Sequence, residues 1–317
     1  NVSGVEKGLR RQKEYKTGRK NRYCCQLSFR SITVMKKLFC LVFSLLTFLT
    51  VSCGTQRAAA QTESSISSIS SASSASSEES SAKKAPPRDD TSETVWSTSD
   101  IDVSHVDINK KLIVFSFDDA PDVTLKPLMR TFASFNAQNP DCPASATFFS
   151  NGIRIDATTF SRLKEAYAAG FELGNHTNRH KDLTKLPPEK IREEISVVDE
   201  ILCKIDGKRN HLLRVPYGNF NDKVKKQAET PLIDWSIDTE DWKGISAQQI
   251  YDVVWKEKYP GAIVLMHDGY PNTVEAVKRL LPALKDNGYQ VVNVSQLSKA
   301  LDCSLVAGSV YTHIRQK

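Results

Sequence analysis

Seven short runs of β-branched, aromatic and other apolar residues recur between residues 106 and 303, and helical patterns fill the gaps between them. The runs span 112–117, 146–150, 171–174, 212–215, 232–237, 262–266 and 290–294. The plainest helical pattern is 189–205. There Ile191, Ile195, Val198, Leu202 and Ile205 repeat at steps of four and three, between Pro187-Pro188 and Gly207. A second helical pattern, 273–286, stops at Asn287-Gly288. Strands that alternate with helices pair in parallel, because each crossover returns the chain to the same end of the sheet. Seven such units predict an α/β domain, a distorted seven-stranded (β/α) barrel. An open doubly wound sheet is the alternative.

The flanks read differently. Residues 1–34 hold nine Lys/Arg against two acids, and Lys36-Lys37 add to them, which more than accounts for the net charge of +6. The remainder is slightly acidic, which argues against a nucleic-acid partner. Met35 is the first methionine, and Lys36-Lys37, an apolar run over 38–51 and Ser52-Cys53-Gly54 follow it. That order is a signal peptide over 35–53, and its apolar run is too short to span a bilayer. Its exit resembles a bacterial lipoprotein signal, which implies membrane anchoring in the cell envelope through lipidated Cys53. Thr50 stands where such signals usually carry Leu, and a freely secreted form is the alternative. Residues 1–34 are then an over-extended start. Residues 54–105, with twelve serines in 61–81, read as a flexible linker. The catalytic domain is expected over 106–303, with a tail over 304–317. Beyond the signal only Cys142, Cys203 and Cys303 remain, so an exported chain is allowed one disulfide of undetermined pairing. No obligate protein partner is evident.

In parallel βα folds, sites form at the carboxyl ends of the strands. The unusual polar residues fall there. They are Asp118-Asp119-Ala120-Pro121, His176 to His180, Arg214-Val215-Pro216-Tyr217-Gly218, Asp238 to Trp242, and Leu265-Met266-His267-Asp268-Gly269. Each has an ordinary reading too. The aspartates could cap a helix, Pro-Tyr-Gly could be a plain turn, and Asp238 to Asp241 a solvated loop. Five such segments at one sheet edge make a shared role the better reading. His176 and His180, four apart, can face one way on a helical turn and share a metal with one of Asp118 and Asp119. The other aspartate can serve as general base, held ionised by Arg214. His267 suits a general acid oriented by Asp241. The set fits metal-assisted hydrolysis of an amide or ester.

These five segments resemble, in order and spacing, the five motifs of the polysaccharide deacetylase family, also called NodB-homology or carbohydrate esterase family 4 domains. The resemblance covers about 190 residues and includes Ala146-Thr147-Phe148-Phe149. It implies the family's distorted barrel and removal of acetate from N-acetylglucosamine units of a polymer. It implies Asp118 as base, with Asp119, His176 and His180 as ligands of a divalent metal, Zn²⁺ first and Co²⁺ or Ni²⁺ also accepted. Arg214 would position Asp118, and Asp241 would tune His267. The Tyr217 N–H would stabilise an oxyanion, and Trp242 and Leu265 would line the acetyl pocket. Ala120 departs from the family's usual glycine, and would strain the loop if that residue needed positive φ. An envelope polymer, either peptidoglycan or a chitin-like poly-N-acetylglucosamine, is the expected substrate. An O-acetyl esterase on acetylated xylan and a silent glycan-binding lipoprotein are the alternatives.

Overall fold

The computed structural model describes residues 94–315. The expected signal peptide, Cys53 and the linker up to residue 93 lie outside the described residues. Within them the strands are β1 (Lys111–Ala120), β2 (Thr147–Ser150), β3 (Glu172–Asn175), β4 (Leu232–Ile233), β5 (Ile237–Asp238), β6 (Ile263–His267), β7 (Tyr289–Val292) and β8 (Val310–Tyr311). The helices are α1 (Leu125–Gln138), α2 (Ala157–Ala168), α3 (Pro188–Asp206), α4 (Asp222–Gln227), α5 (Ala247–Glu257), α6 (Pro271–Asp286) and α7 (Val294–Ala300).

All these strands pair in parallel. β1 is central, and its residues from Leu112 to Asp118 are all buried, as a strand covered on both faces requires. The order is β3-β2-β1-β6-β5. β7 also pairs with β1, along Lys111–Val114, whereas β6 takes Val114–Asp118. Asn175 at the end of β3 bridges to Leu213, and Leu213 bridges to Leu232 in β4, which pairs with β8. The result is a distorted (β/α) barrel.

Five of the seven expected runs form strands of four residues or more. The run at 212–215 is reduced to bridges at Leu213, because the Arg214 carbonyl is taken by the His176 ring instead of a neighbouring strand. The run at 232–237 splits into β4 and β5, and Arg214 takes the carbonyls of Ile233 and Asp234 at the break. The helix expected at 189–205 runs over Pro188–Asp206. Pro188 opens it, and Gly207 closes it at φ 76, a conformation that costs glycine nothing.

The largest of three hydrophobic clusters among the described residues packs helices against the sheet. Phe117 stacks on Phe148 at 5.1 Å, and Phe132 and Phe171 meet them edge-on. Burying each such ring contributes roughly 1.5–3 kcal/mol. The folded body extends beyond the expected 106–303 at both ends. Trp96 donates its backbone N–H to Leu305 and its ring N–H to Ser295, and Lys299 donates to the carbonyls of Ser99 and Ile101. Leu305 and Ile314 are buried and β8 joins β4, so 304–314 is part of the barrel rather than a tail. Apolar residues spaced too widely for a periodic pattern make these contacts. Cys142, Cys203 and Cys303 stand as free cysteines in this structure.

Candidate active site

All five polar segments meet at the carboxyl edge of the sheet. Asp118, buried near the end of β1, lies opposite His267 in the β1–β6 ladder. Asp119 follows at φ 63, a left-handed backbone that few residues other than glycine adopt. The expected strain at Ala120 is therefore absent. Positive φ falls on Asp119, and Ala120 packs fully buried in the core.

Arg214 has no exposed surface. A buried guanidinium is tolerated only when its donors are used. Here Nη1 donates to Asp118 Oδ1 and Ser116 Oγ, both at 2.8 Å, and Nε and Nη2 donate to the carbonyls of Ile233 and Asp234. The guanidinium also lies 4.2 Å above the Phe149 ring. Burial alone would raise the Asp118 pKa. The Arg214 charge, with His176 and His267, outweighs it and holds the carboxyl below its ordinary value.

His176 Nδ1 lies 2.8 Å from the Arg214 carbonyl, which can only accept. That partner fixes the proton on Nδ1 and leaves the Nε2 lone pair facing the carboxylates. His180 reaches the same place by an unexpected route. Residues 176–180 are a loop rather than a helical turn, with Thr177 at φ 67 and His180 at φ 51. The two rings still meet, with centroids 4.8 Å apart. Ligand atoms of Asp119, His176 and His180 all lie within 4.8 Å of one another. Two imidazoles and a carboxylate at that separation fit a divalent ion with positions left for water. Burial and the neighbouring His176 depress the His180 pKa, which keeps it in the neutral form a ligand needs.

On the other side of Asp118, His267 Nδ1 lies 2.7 Å from Asp241 Oδ1. Asp241 Oδ2 accepts the His267 backbone N–H and the Thr273 hydroxyl. Burial lowers the His267 pKa, but the Asp241 bond and the charge of Asp118 overcome it and raise the net value. Tyr217 sits at φ 63 in the turn Pro216–Gly218, and its ring is 4.7 Å from that of His180. Trp242 follows Asp241 and is half exposed, while Leu265 is buried in β6 two residues before His267.

Several contributors carried no motif signal. Thr273 lies on α6 and donates to Asp241, and Ser116, inside the apolar run of β1, accepts from Arg214. Asp268 accepts from the Asp122 N–H and the Thr124 hydroxyl, and so ties the loop after Asp119 to the loop after His267. Its place beside His267 was the only hint. Asp234, whose Oδ1 has no partner, has its pKa raised to about 6 by burial and by the charge of Asp118, against the pull of Arg214.

The family model described as polysaccharide deacetylase matches residues 105–231. The chain is 34% identical over 198 residues to peptidoglycan-N-acetylmuramic acid deacetylase PdaC of Bacillus subtilis, covering 61% of this chain and 40% of that protein. The solved PdaC structure matches with a TM-score of 0.57 at 33% identity, covering 62% of this chain and 94% of that one. A peptidoglycan-N-acetylglucosamine deacetylase of Bacillus cereus is 34% identical over 209 residues, covering 60% of this chain and 89% of that protein.

Proposed function

Because the chain belongs to the polysaccharide deacetylase family, we propose that it hydrolyses the acetamido group of N-acetylated sugars in an envelope polymer and releases acetate. The observation that carries this reading is the pairing of Asp118 with His267 on adjacent strands. Each has its own partner behind it, and together they stand beside the Asp119, His176 and His180 cluster. A base whose ionised form is favoured next to an acid whose protonated form is favoured is what amide hydrolysis near neutral pH needs.

Asp119, His176 and His180 would hold a divalent ion, Zn²⁺ by donor chemistry, with Co²⁺ or Ni²⁺ acceptable. When bound, the ion would polarise the acetyl carbonyl and make its water more acidic. Asp118 takes the proton from the attacking water, and Arg214 keeps that carboxylate ionised and aimed. The Tyr217 N–H donates to the oxyanion of the tetrahedral intermediate. His267 Nε2, its other nitrogen held by Asp241, delivers a proton to the leaving amine as the C–N bond breaks. Trp242 and Leu265 flank the acetyl methyl.

Peptidoglycan is the substrate we favour, since both relatives described above carry peptidoglycan in their names. A lipid anchor at Cys53 would hold the enzyme within reach of it. The test is acetate release from peptidoglycan, chitooligosaccharide and acetylated xylan, after chelation and after Zn²⁺ add-back, with Asp118→Asn as control. Zn²⁺-dependent acetate from peptidoglycan is expected. Release from xylan alone would replace this reading with an O-acetyl esterase, and release that survives chelation would refute the metal.

A further inference from the structure

The turn Asn151–Arg154 carries no metal ligand, yet it touches both loops that do. On one side the Asn151 N–H donates to the carbonyl of Ala120, the residue after Asp119, at 2.9 Å. On the other, the Asn151 side-chain amide donates to the His176 carbonyl at 2.7 Å and to the Thr177 carbonyl at 3.3 Å. Gly152 N–H donates to Thr177, and Ile153 N–H to Asn178. The approach is close enough that a Cβ on Gly152 would fall 2.4 Å from Asn178 Oδ1. Asn151 is 2% exposed, so these bonds are made away from water, where an unpaired amide would be costly.

Arg154 ends the turn. Its Nη1 pairs with Asp122 Oδ2, and its Nη2 lies 3.9 Å from Asp119 Oδ2. The other Asp119 oxygen, Oδ1, lies 3.9 Å from His180 Nε2. One carboxylate thus divides its oxygens between the histidine cluster and a guanidinium. The guanidinium is itself fixed. Asp122 holds its tip, and the Thr159 hydroxyl on α2 donates to its backbone carbonyl.

We propose that Asn151–Arg154 is the brace that sets the spacing of the two metal-ligand loops, and that Arg154 is a positioning residue for Asp119. This rests on the metal reading above. Two effects of Arg154 on a bound cation oppose each other. Its charge repels the ion, and its hold on Asp119 preorganises a ligand. Arg154 is neutralised by Asp122 and partly solvent-exposed, so the repulsion is screened and the positioning wins.

The test is Zn²⁺ affinity, measured by competition with a chromophoric chelator, together with thermal unfolding of the metal-free protein. Arg154→Gln is expected to weaken Zn²⁺ binding about 10–100-fold, the usual cost of losing a partner behind a ligand. The metal-free unfolding midpoint should stay at the wild-type value, and Arg154→Lys should recover part of the affinity. Asn151→Asp, which keeps the shape of the side chain but loses its two donated bonds, should weaken Zn²⁺ binding as well. Wild-type affinity in Arg154→Gln, or tighter binding, overturns the brace while leaving the metal site intact. Parallel loss of affinity and metal-free stability in Arg154→Gln, without recovery by Lys, also overturns it. A wild type that binds no Zn²⁺ overturns the metal reading and the brace together.

Discussion

His267 Nδ1 lies 2.7 Å from Asp241 Oδ1, and the other oxygen of Asp241 holds the His267 backbone and Thr273. One buried carboxylate thus fixes both the position of the imidazole and its charge. A histidine that must donate a proton loses activity as pH rises through its pKa, and its raised value moves that loss to higher pH. Asp241→Asn removes the charge that raises it. The basic limb of the kcat/KM profile is expected to move to lower pH, with a fall in kcat near neutrality of about 10²-fold or more. A pH–rate profile checks this, and an unmoved basic limb would exclude His267 as the acid.

A second histidine acts on stability. His211 is buried, with Nδ1 2.9 Å from Asp199 Oδ1 and Nε2 3.1 Å from Asp206 Oδ2. Burial lowers its pKa, but the two aspartates outweigh that and raise it to about 8. The folded value lies above the unfolded one. The stabilisation is therefore complete below about pH 6.5 and is lost as pH rises through about 8, an effect of about 2 kcal/mol. Urea unfolding at pH 6 and pH 9 measures it. His211→Gln should remove this pH dependence and cost about 3–5 kcal/mol at pH 6, since two buried carboxylates lose their partner.

That cluster also marks the limit of what the sequence could reveal. Asp118, Asp119, His176, His180, Arg214, Asp241 and His267 stood out because each lies at the end of an apolar run, and a parallel sheet brings all such ends together. Asp199 and Asp206, by contrast, sit on α3 among residues that read as an ordinary polar helix face. Their meeting with His211 depends on how α3 packs, which no local pattern encodes. The same holds for Asn151 and Arg154, whose role arises from two loops distant in sequence. The loop at 176–180 resembled a helical turn, because its histidine spacing of four is shared by a helix and by this left-handed bend.

At position 120 the family's usual glycine is replaced at no conformational cost, because the left-handed residue is Asp119. The Ala120 methyl is fully buried in the aromatic core. Restoring glycine should therefore destabilise the fold by about 1 kcal/mol, through a lost methyl contact and a more flexible unfolded chain. Activity should be unchanged. Thermal unfolding and acetate release measured on Ala120→Gly test both halves, and a gain in kcat would show that the alanine distorts the loop.

Gly174 gives the sharpest packing test. A Cβ there would lie 2.4 Å from Phe149 Cδ1 and 2.6 Å from Cε1, distances at which the ring must move. The Arg214 guanidinium lies 4.2 Å above that ring and donates to Asp118. Gly174→Ala is therefore expected to cost about 1–3 kcal/mol from overpacking and to lower kcat by disturbing the Arg214–Asp118 pair. Adding Phe149→Leu, which opens space under the guanidinium, should restore part of both, so the two substitutions will be less damaging together than their separate effects predict. Unfolding free energies and kcat for the two single variants and the double variant measure that coupling. Simple additivity would mean that the Phe149 ring does not transmit strain from β3 to the Arg214–Asp118 pair.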